Sequence, residues 1–215
     1  KIQASRNGTE FRLEAKLERV ECWWPRNLGE PKTYSFRLEL HGLARTLDMV
    51  EQRVGFRQLA FDPAIAVAEL NGRKLPVIQA MFEGGNDLLA VAEDAFVKLF
   101  QKVSARQNCL VLARVLGRVV APQLYALADS QGILLWQDFP LCGGYSSGCD
   151  FQANAVRQAT AMIHQLGYHP SVALWCCHLS AMEHDAALDE AVRSKLERLD
   201  PSRPCLLRSD AADSI

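Results

Sequence analysis

The stretch that decides the fold runs from residue 169 to residue 178 and reads His169-Pro170-Ser171-Val172-Ala173-Leu174-Trp175-Cys176-Cys177-His178. Its apolar run, Val172 to Cys177, has the length of a strand buried on both faces and is far too short to span a bilayer. An amphipathic segment, Phe151 to Leu166, precedes it and ends at Gly167, which is typical of a helix. A second helical segment, Ala186 to Leu199, follows it. Helix, buried strand and helix in succession predict a parallel α/β sheet.

The same alternation extends upstream and downstream of this stretch, at intervals of about 30 residues. Further strands are predicted near Val77 to Phe82 and at Cys109 to Val115, Ile133 to Phe139 and Pro204 to Leu207. Further helices are predicted at Asp94 to Gln107, with Phe96, Leu99, Phe100 and Val103 on one side, and at Pro122 to Ser130.

The number of strands limits the architecture. A closed (β/α)₈ barrel usually needs about 250 residues, so the α/β part of this chain supplies only the first half or so of one. An open doubly wound sheet has a suitable length and remains an alternative. However, Gly84-Gly85-Asn86 is the nearest match to a phosphate-binding loop, and it lacks the required glycine spacing.

Residues 1–62 have the alternation of β-strands instead. Phe11, Leu13, Ala15 and Leu17 share one face, and Tyr34 to Leu40 repeats the pattern before a turn at His41-Gly42. Leu47 to Phe61 predicts one or two more strands, and Asn71-Gly72 predicts a tight turn. We therefore predict an all-β sandwich segment over residues 1–62 and an α/β domain over residues 63–215.

Composition excludes several classes of function. The net charge is −1, from 24 basic and 25 acidic residues, so no basic surface for nucleic acid or membrane is expected. The odd count of 7 cysteines excludes a fully paired disulfide framework, and unpaired thiols favour a reducing compartment such as the cytoplasm. Cys109, Cys176, Cys177 and Cys205 are expected to be buried free thiols. Cys176-Cys177-His178 lacks the spacing of a zinc site, so neither a metal nor a cofactor is expected.

Several motifs in series resemble one known family. They are Trp23-Trp24-Pro25, Val54-Gly55-Phe56-Arg57, Leu70-Asn71-Gly72, Arg114-Val115, Trp136-Gln137-Asp138-Phe139, His169 to Trp175, and Leu199 to Pro204. In this order they resemble glycoside hydrolase family 2, of the β-mannosidase-like kind. The resemblance implies an immunoglobulin-like sandwich segment followed by a partial (β/α)₈ barrel. It also implies a retaining exo-glycosidase that acts on β-linked sugars, so that carbohydrate is the expected ligand.

The resemblance places the candidate sugar-binding residues at the carboxyl ends of barrel strands, where catalytic mouths form. They are Arg114, Trp136, Asp138, Trp175 and His178. A tryptophan beside a carboxylate offers a sugar an apolar face and hydrogen-bond acceptors. The alternatives are core packing for the two tryptophans and, for Asp138, a structural role as acceptor of backbone N–H groups.

Catalytic competence is the feature that this sequence does not support. The family's Asn-Glu pair is replaced by Leu179-Ser180, and a hydroxyl at the acid/base position is too weak an acid to protonate a leaving oxygen. Glu183 is a candidate substitute, or a solvated surface glutamate. The nucleophile of the family belongs to a strand beyond Ile215.

Three hypotheses follow from these observations. The chain is a segment or degenerate relative of the glycosidase, inactive alone and in effect a pseudoenzyme; or it is a non-catalytic glycan-binding or structural subunit; or it is an unrelated open α/β domain. Because a half barrel exposes strand edges, a partner chain or a homo-oligomer is expected to cover them.

Overall fold

The computed structural model describes residues 2–4, 11–13, 15–81, 97–99, 101–103, 105–141, 148–178 and 185–208. Its strands are β1 (Ile2–Ala4), β2 (Phe11–Leu13), β3 (Tyr34–His41), β4 (Thr46–Val54), β5 (Leu59–Asp62), β6 (Val67–Leu70), β7 (Arg73–Met81), β8 (Leu110–Val115), β9 (Leu134–Asp138), β10 (Val172–His178) and β11 (Cys205–Arg208). Its helices are α1 (Pro122–Gln131), α2 (Cys149–Leu166) and α3 (Ala186–Leu199), and residues 97–99 and 101–103 are also helical. Phe96 and Phe100 of the predicted apolar helix side, and Phe82 at the end of a predicted strand, lie outside these ranges.

Seven strands form one sheet in the order β11-β10-β9-β8-β7-β6-β5. Strands β7 to β11 run parallel, with each new strand added beside the previous one, whereas β5, β6 and β7 form an antiparallel meander. The predicted turn at Asn71-Gly72 joins β6 to β7, and both residues have positive φ, 50° and 81°. Left-handed conformations at both central residues are what a two-residue hairpin requires.

The helices distinguish a partial barrel from an open doubly wound sheet. All three pack into one core, which we call the helix-covered face, through residues such as Tyr125, Met162 and Val192. The opposite or inner face is lined by strand residues, among them Leu112, Leu134 and Leu174, and no buried residue of α1, α2 or α3 belongs to its core. A doubly wound sheet carries helices on both faces. The sheet is therefore the first part of a (β/α) barrel.

The segment around Trp23 closes the end of the sheet at which the parallel strands begin. Trp23 is fully buried, its backbone N–H donates to the Phe56 carbonyl at 2.7 Å, and its indole N–H donates to the Asp129 carbonyl at 2.9 Å. The side chain of Asn27 donates to the Cys109 carbonyl at 2.9 Å, just before β8. This packing leaves the carboxyl ends of β8, β9 and β10 at the other end of the sheet.

The first 62 residues are β-structured but do not form one sheet. Strands β1 and β2 pair with each other, β3 and β4 form a separate exposed hairpin, and β5 pairs with β6 of the large sheet. The domain boundary predicted after residue 62 thus falls in the turn between β5 and β6. The alternation predicted as far as Leu17 was wrong at its end, because β2 stops at Leu13 and Leu17 is an exposed residue outside any strand.

Candidate sugar-binding site

Arg114, Trp136 and Asp138 come together on the inner face at the carboxyl ends of two adjacent strands. Arg114 on β8 donates from Nε to Oδ2 of Asp138 on β9 at 3.0 Å, and Trp136 donates from Nε1 to Oδ1 of Asp138 at 2.9 Å. The guanidinium carbon of Arg114 lies 5.2 Å from the Trp136 ring centre. Pairing of Arg114 with Trp136 in the β8–β9 register produces this arrangement. We call these three residues the Arg-Trp-Asp cluster.

The cluster is buried, and this changes the acidity of its carboxyl group. Arg114, Trp136 and Asp138 are each 2% exposed or less. Burial raises the pKa of Asp138 above its usual value, because the Arg114 charge and the hydrogen bonds from Arg114, Gly117 and Trp136 offset only part of the desolvation. The negative charge of Asp138 is therefore stabilised mainly by Arg114. The carboxylate of Asp138 is a hydrogen-bond acceptor at this end of the barrel.

Gln137 points to the other side of β9 and fixes the loop after β8. The Tyr125 hydroxyl on α1 donates to Oε1 of Gln137 at 2.7 Å, and Nε2 of Gln137 donates to the Arg118 carbonyl at 2.7 Å. Neither Tyr125 nor this role of Gln137 was predicted from the sequence. The sequence did carry a signal for this role, because side chains alternate along a strand and Gln137 must point to the face opposite Trp136 and Asp138.

His178 ends β10 and is held by the next helix. Its Nδ1 lies 3.4 Å from Oδ2 of Asp189 in the first turn of α3, and both side chains are fully buried. The Cys176 thiol donates to the His178 carbonyl at 3.4 Å. Asp189 was not predicted as part of the site, because nothing in its local sequence distinguishes it from a solvated carboxylate in the first turn of a helix.

Trp175 lies on the helix-covered face, away from the Arg-Trp-Asp cluster. It is fully buried, and its indole N–H donates to Oδ2 of Asp200 at 3.0 Å. The guanidinium carbon of Arg203 lies 5.8 Å from its ring centre. These contacts match core packing, the alternative reading of this tryptophan, and the structure does not bring Trp175 together with Trp136.

Two predicted site residues, Ser180 and Glu183, lie outside the described residues, as do Leu179 and the Gly84-Gly85-Asn86 segment. Cys109, Cys176 and Cys177 are buried free thiols as predicted, whereas Cys205 is only partly buried. Among the residues that the structure describes, no group of three or more His, Cys, Asp or Glu side chains is placed to hold a metal ion. No helix in the described ranges is long and apolar enough to cross a membrane.

Comparison with known proteins gives the family context. The family described as "Glycosyl hydrolases family 2" matches residues 1–57. β-Mannosidase A of Aspergillus terreus is 28% identical over 172 residues, and the enzyme of Aspergillus flavus is 29% identical over 173 residues. Each alignment covers 72% of this chain. The chain is a relative of the family 2 glycosyl hydrolases.

Solved structures of a β-D-mannosidase and a β-glucuronidase show the same fold. The β-D-mannosidase of Dictyoglomus thermophilum superposes with a TM-score of 0.69 at 23% identity, over 90% of this chain and 27% of that one. The β-glucuronidase of Parabacteroides merdae gives a TM-score of 0.71 at 22% identity, over 95% of this chain and 27% of that one. These likenesses support the partial barrel and are too distant in sequence to transfer a substrate.

The chain spans only part of its relatives. It covers 18% of the Aspergillus terreus β-mannosidase and 19% of the Aspergillus flavus enzyme. It is a β-glycosidase-like segment that spans about a fifth of their length.

Proposed function

We propose that this chain is a segment, or a degenerate relative, of a retaining exo-glycosidase that acts on β-linked sugars, β-mannosides in the first place. The observation that carries this proposal is the Arg-Trp-Asp cluster at the carboxyl ends of β8 and β9, the end at which barrel enzymes build their sites. The identity of 28% to a protein named β-mannosidase A favours mannosides within the family.

The roles of the individual residues follow from their chemistry. Arg114, Asp138 and His178 supply donors and acceptors for sugar hydroxyls, and Trp136 supplies an aromatic ring beside them. Core packing is the role that we assign to Trp175, because it lies on the helix-covered face, whereas Trp136 lies on the inner face beside Arg114 and Asp138. Ser180 occupies the acid/base position of the family, so we propose that the chain alone does not hydrolyse glycosides.

The regions outside the partial barrel belong to the same proposal. Residues 1–62 are proposed to be an immunoglobulin-like segment, supported by the match of residues 1–57 to the family. Residues 63–215 are then the first part of the barrel domain. The sheet ends in β5 on one side and β11 on the other, so we propose that a partner chain or a second copy covers these edges.

Sugar binding is tested by comparing two tryptophans that are equally buried on opposite faces. Ligand-observed NMR with methyl β-mannoside should detect binding to the wild-type chain and to Trp175→Phe, and should lose it in Trp136→Phe. Both tryptophans donate to a buried aspartate, so Trp175→Phe controls for the loss of that hydrogen bond. Equal binding by the two variants would contradict a sugar site at Trp136.

Catalysis is tested separately with aryl β-mannoside and aryl β-galactoside. We expect no turnover above the buffer rate by the wild-type chain. Turnover that Glu183→Ala abolishes would show that Glu183 replaces the missing acid and that the chain is not a pseudoenzyme. The alternative function, a structural subunit without a glycan site, predicts neither turnover nor binding of methyl β-mannoside.

A further inference from the structure

A cavity of about 630 Å³ lies at the end of the sheet where the parallel strands begin, far from the Arg-Trp-Asp cluster. Its wall is shared by the segment that joins β4 to β5, through Phe56 and Arg57, and by the loop before β10, through Tyr168 and Pro170. Small-molecule sites occupy about 300–1,000 Å³ and have mostly apolar walls with a few polar groups. The cavity has this size and character.

Arg57 is the polar group that distinguishes the cavity. It donates from Nε to the Pro170 carbonyl at 2.6 Å and from Nη2 to the Val172 carbonyl. Within the described residues its Nη1 makes no hydrogen bond, and none of their carboxylates forms an ion pair with it. Carbonyl groups hold the guanidinium in place but do not neutralise its charge.

A second arginine lines the same cavity and is paired with a carboxylate. Arg203 also lines the cavity and donates from Nε to the Val172 carbonyl at 2.6 Å and from Nη1 to Oδ2 of Asp200 at 2.6 Å. Asp200 pairs with Arg203, and the charges of Asp200 and Asp129 also favour the protonated form of Arg57, although neither carboxylate forms an ion pair with it. Burial, and after it the charge of Arg203, lowers the pKa of Arg57 to about 9, so Arg57 is still protonated at neutral pH.

We propose that this cavity binds a phosphate monoester, with the phosphate at Arg57 and the apolar part of the ligand against Phe56 and Pro170. A guanidinium held in a fixed orientation by two carbonyls is well suited to an oxyanion, because it loses little entropy on binding. The oxyanion supplies the direct ion pair that Arg57 does not form within the described residues, and the aromatic and proline side chains supply the apolar contact.

Two exposed cysteines make the site testable in the unmodified chain. Cys22 lines the cavity, whereas Cys149, at the start of α2, does not. The rate at which iodoacetamide alkylates each thiol is measured by mass spectrometry. The rates are compared in phenyl phosphate, inorganic phosphate and potassium chloride, all at the same ionic strength. A ligand that blocks Cys22 slows its alkylation about threefold at twice the dissociation constant. We expect this protection with phenyl phosphate, less with inorganic phosphate, and none for Cys149.

Two substitutions that make the same charge change test whether the protection of Cys22 comes from binding in the cavity. Gln58→Glu adds a carboxylate at the rim of the cavity without removing a bond of Arg57, and it should abolish the protection of Cys22. Gln52→Glu makes the same charge change outside the cavity and should leave protection intact. Equal slowing at Cys22 and Cys149, equal slowing by chloride, or protection that survives Gln58→Glu would overturn the proposal. None of these outcomes depends on glycoside binding or hydrolysis.

Discussion

At the residue scale, two buried aspartates are shifted in opposite directions by the balance between burial and pairing. Burial dominates at Asp138 and raises its pKa, whereas at Asp200 burial is outweighed by Arg203 and by hydrogen bonds from Ser202 and Trp175, which lower its pKa. Asp138 sits on the inner face and Asp200 at the end of α3. Asp138 is fully buried, whereas Asp200 is 7% exposed and also accepts a hydrogen bond from the Ser202 hydroxyl at 2.5 Å.

Loss of Arg114 should be costly because it leaves a buried carboxyl without its cation. We expect Arg114→Met to lower the free energy of unfolding by about 3–5 kcal/mol, measured by urea denaturation. The control is Arg193→Met on α3, whose ion pairs with Glu190 and Glu197 are exposed and should contribute less than about 1 kcal/mol. Equal losses in the two variants would show that the Arg-Trp-Asp cluster does not stabilise the inner face.

Asp200 should make stability depend on acid pH. Because its folded pKa is below the ordinary value of 3.8, the folded state binds fewer protons in that window and stability rises with pH through it. The contribution is fully present above about pH 4 and is lost as the pH falls further. The midpoint temperature of thermal unfolding, measured between pH 3 and pH 7, should fall less steeply at acid pH for Asp200→Asn than for the wild type. Glu18→Gln, an exposed carboxylate, should leave this slope unchanged.

At the scale of elements, the sequence predicts where the strands of the large sheet lie but not which face of the sheet each side chain takes. Cys109 to Val115 and Val172 to Cys177 are buried on both sides, so their sequences carry no polar and apolar alternation from which a face could be assigned. The register slips between Val172 and Leu174 in the pairing of β10 with β9. Trp175 consequently faces the helices while Trp136 faces inward, although both were predicted to line one site.

Gly132, which ends α1, has a left-handed backbone and a close neighbour. Gly72 has the left-handed backbone alone, so it serves as the control. Gly132 has φ 73°, and a Cβ there would lie 2.6 Å from the Arg26 nitrogen, whereas Gly72 has φ 81° and open space around it. Gly72→Ala should cost about 1–2 kcal/mol from the left-handed backbone alone. Gly132→Ala should cost a further amount of about 1–3 kcal/mol from overpacking, measured by urea denaturation. Equal costs would show that the Trp23 segment adjusts freely.

At the scale of the whole molecule, the β3–β4 hairpin exposes an apolar surface. Phe36, Leu38, Leu40 and Val50 are each between 42% and 51% exposed, and the hairpin pairs with no other described strand. The paired residues Leu38 and Val50 place apolar side chains opposite each other on one face. Contiguous apolar surface and unpaired strand edges favour association.

The exposed hairpin should therefore make the mass in solution depend on concentration. Light scattering after size-exclusion chromatography should show larger species for the wild type at higher concentration and a smaller mass for Leu38→Lys. Ser35→Lys adds the same charge to the opposite face of β3 and should leave association unchanged. A wild-type chain that stays monomeric at every concentration would contradict self-association through this hairpin.

The sequence by itself determined the order of strands and helices, the hairpin at Asn71-Gly72 and the resemblance to family 2, because periodicity, turn residues and motifs are local properties. It also brought Arg114, Trp136 and Asp138 into one prediction, since adjacent parallel strands end on the same side of a sheet. Only the tertiary structure decided that all three helices pack on one face, that Trp175 lies apart from Trp136, and that Arg57 lines a cavity and forms no ion pair within the described residues. These features depend on pairing and packing between residues that are distant in sequence, and no local pattern records them.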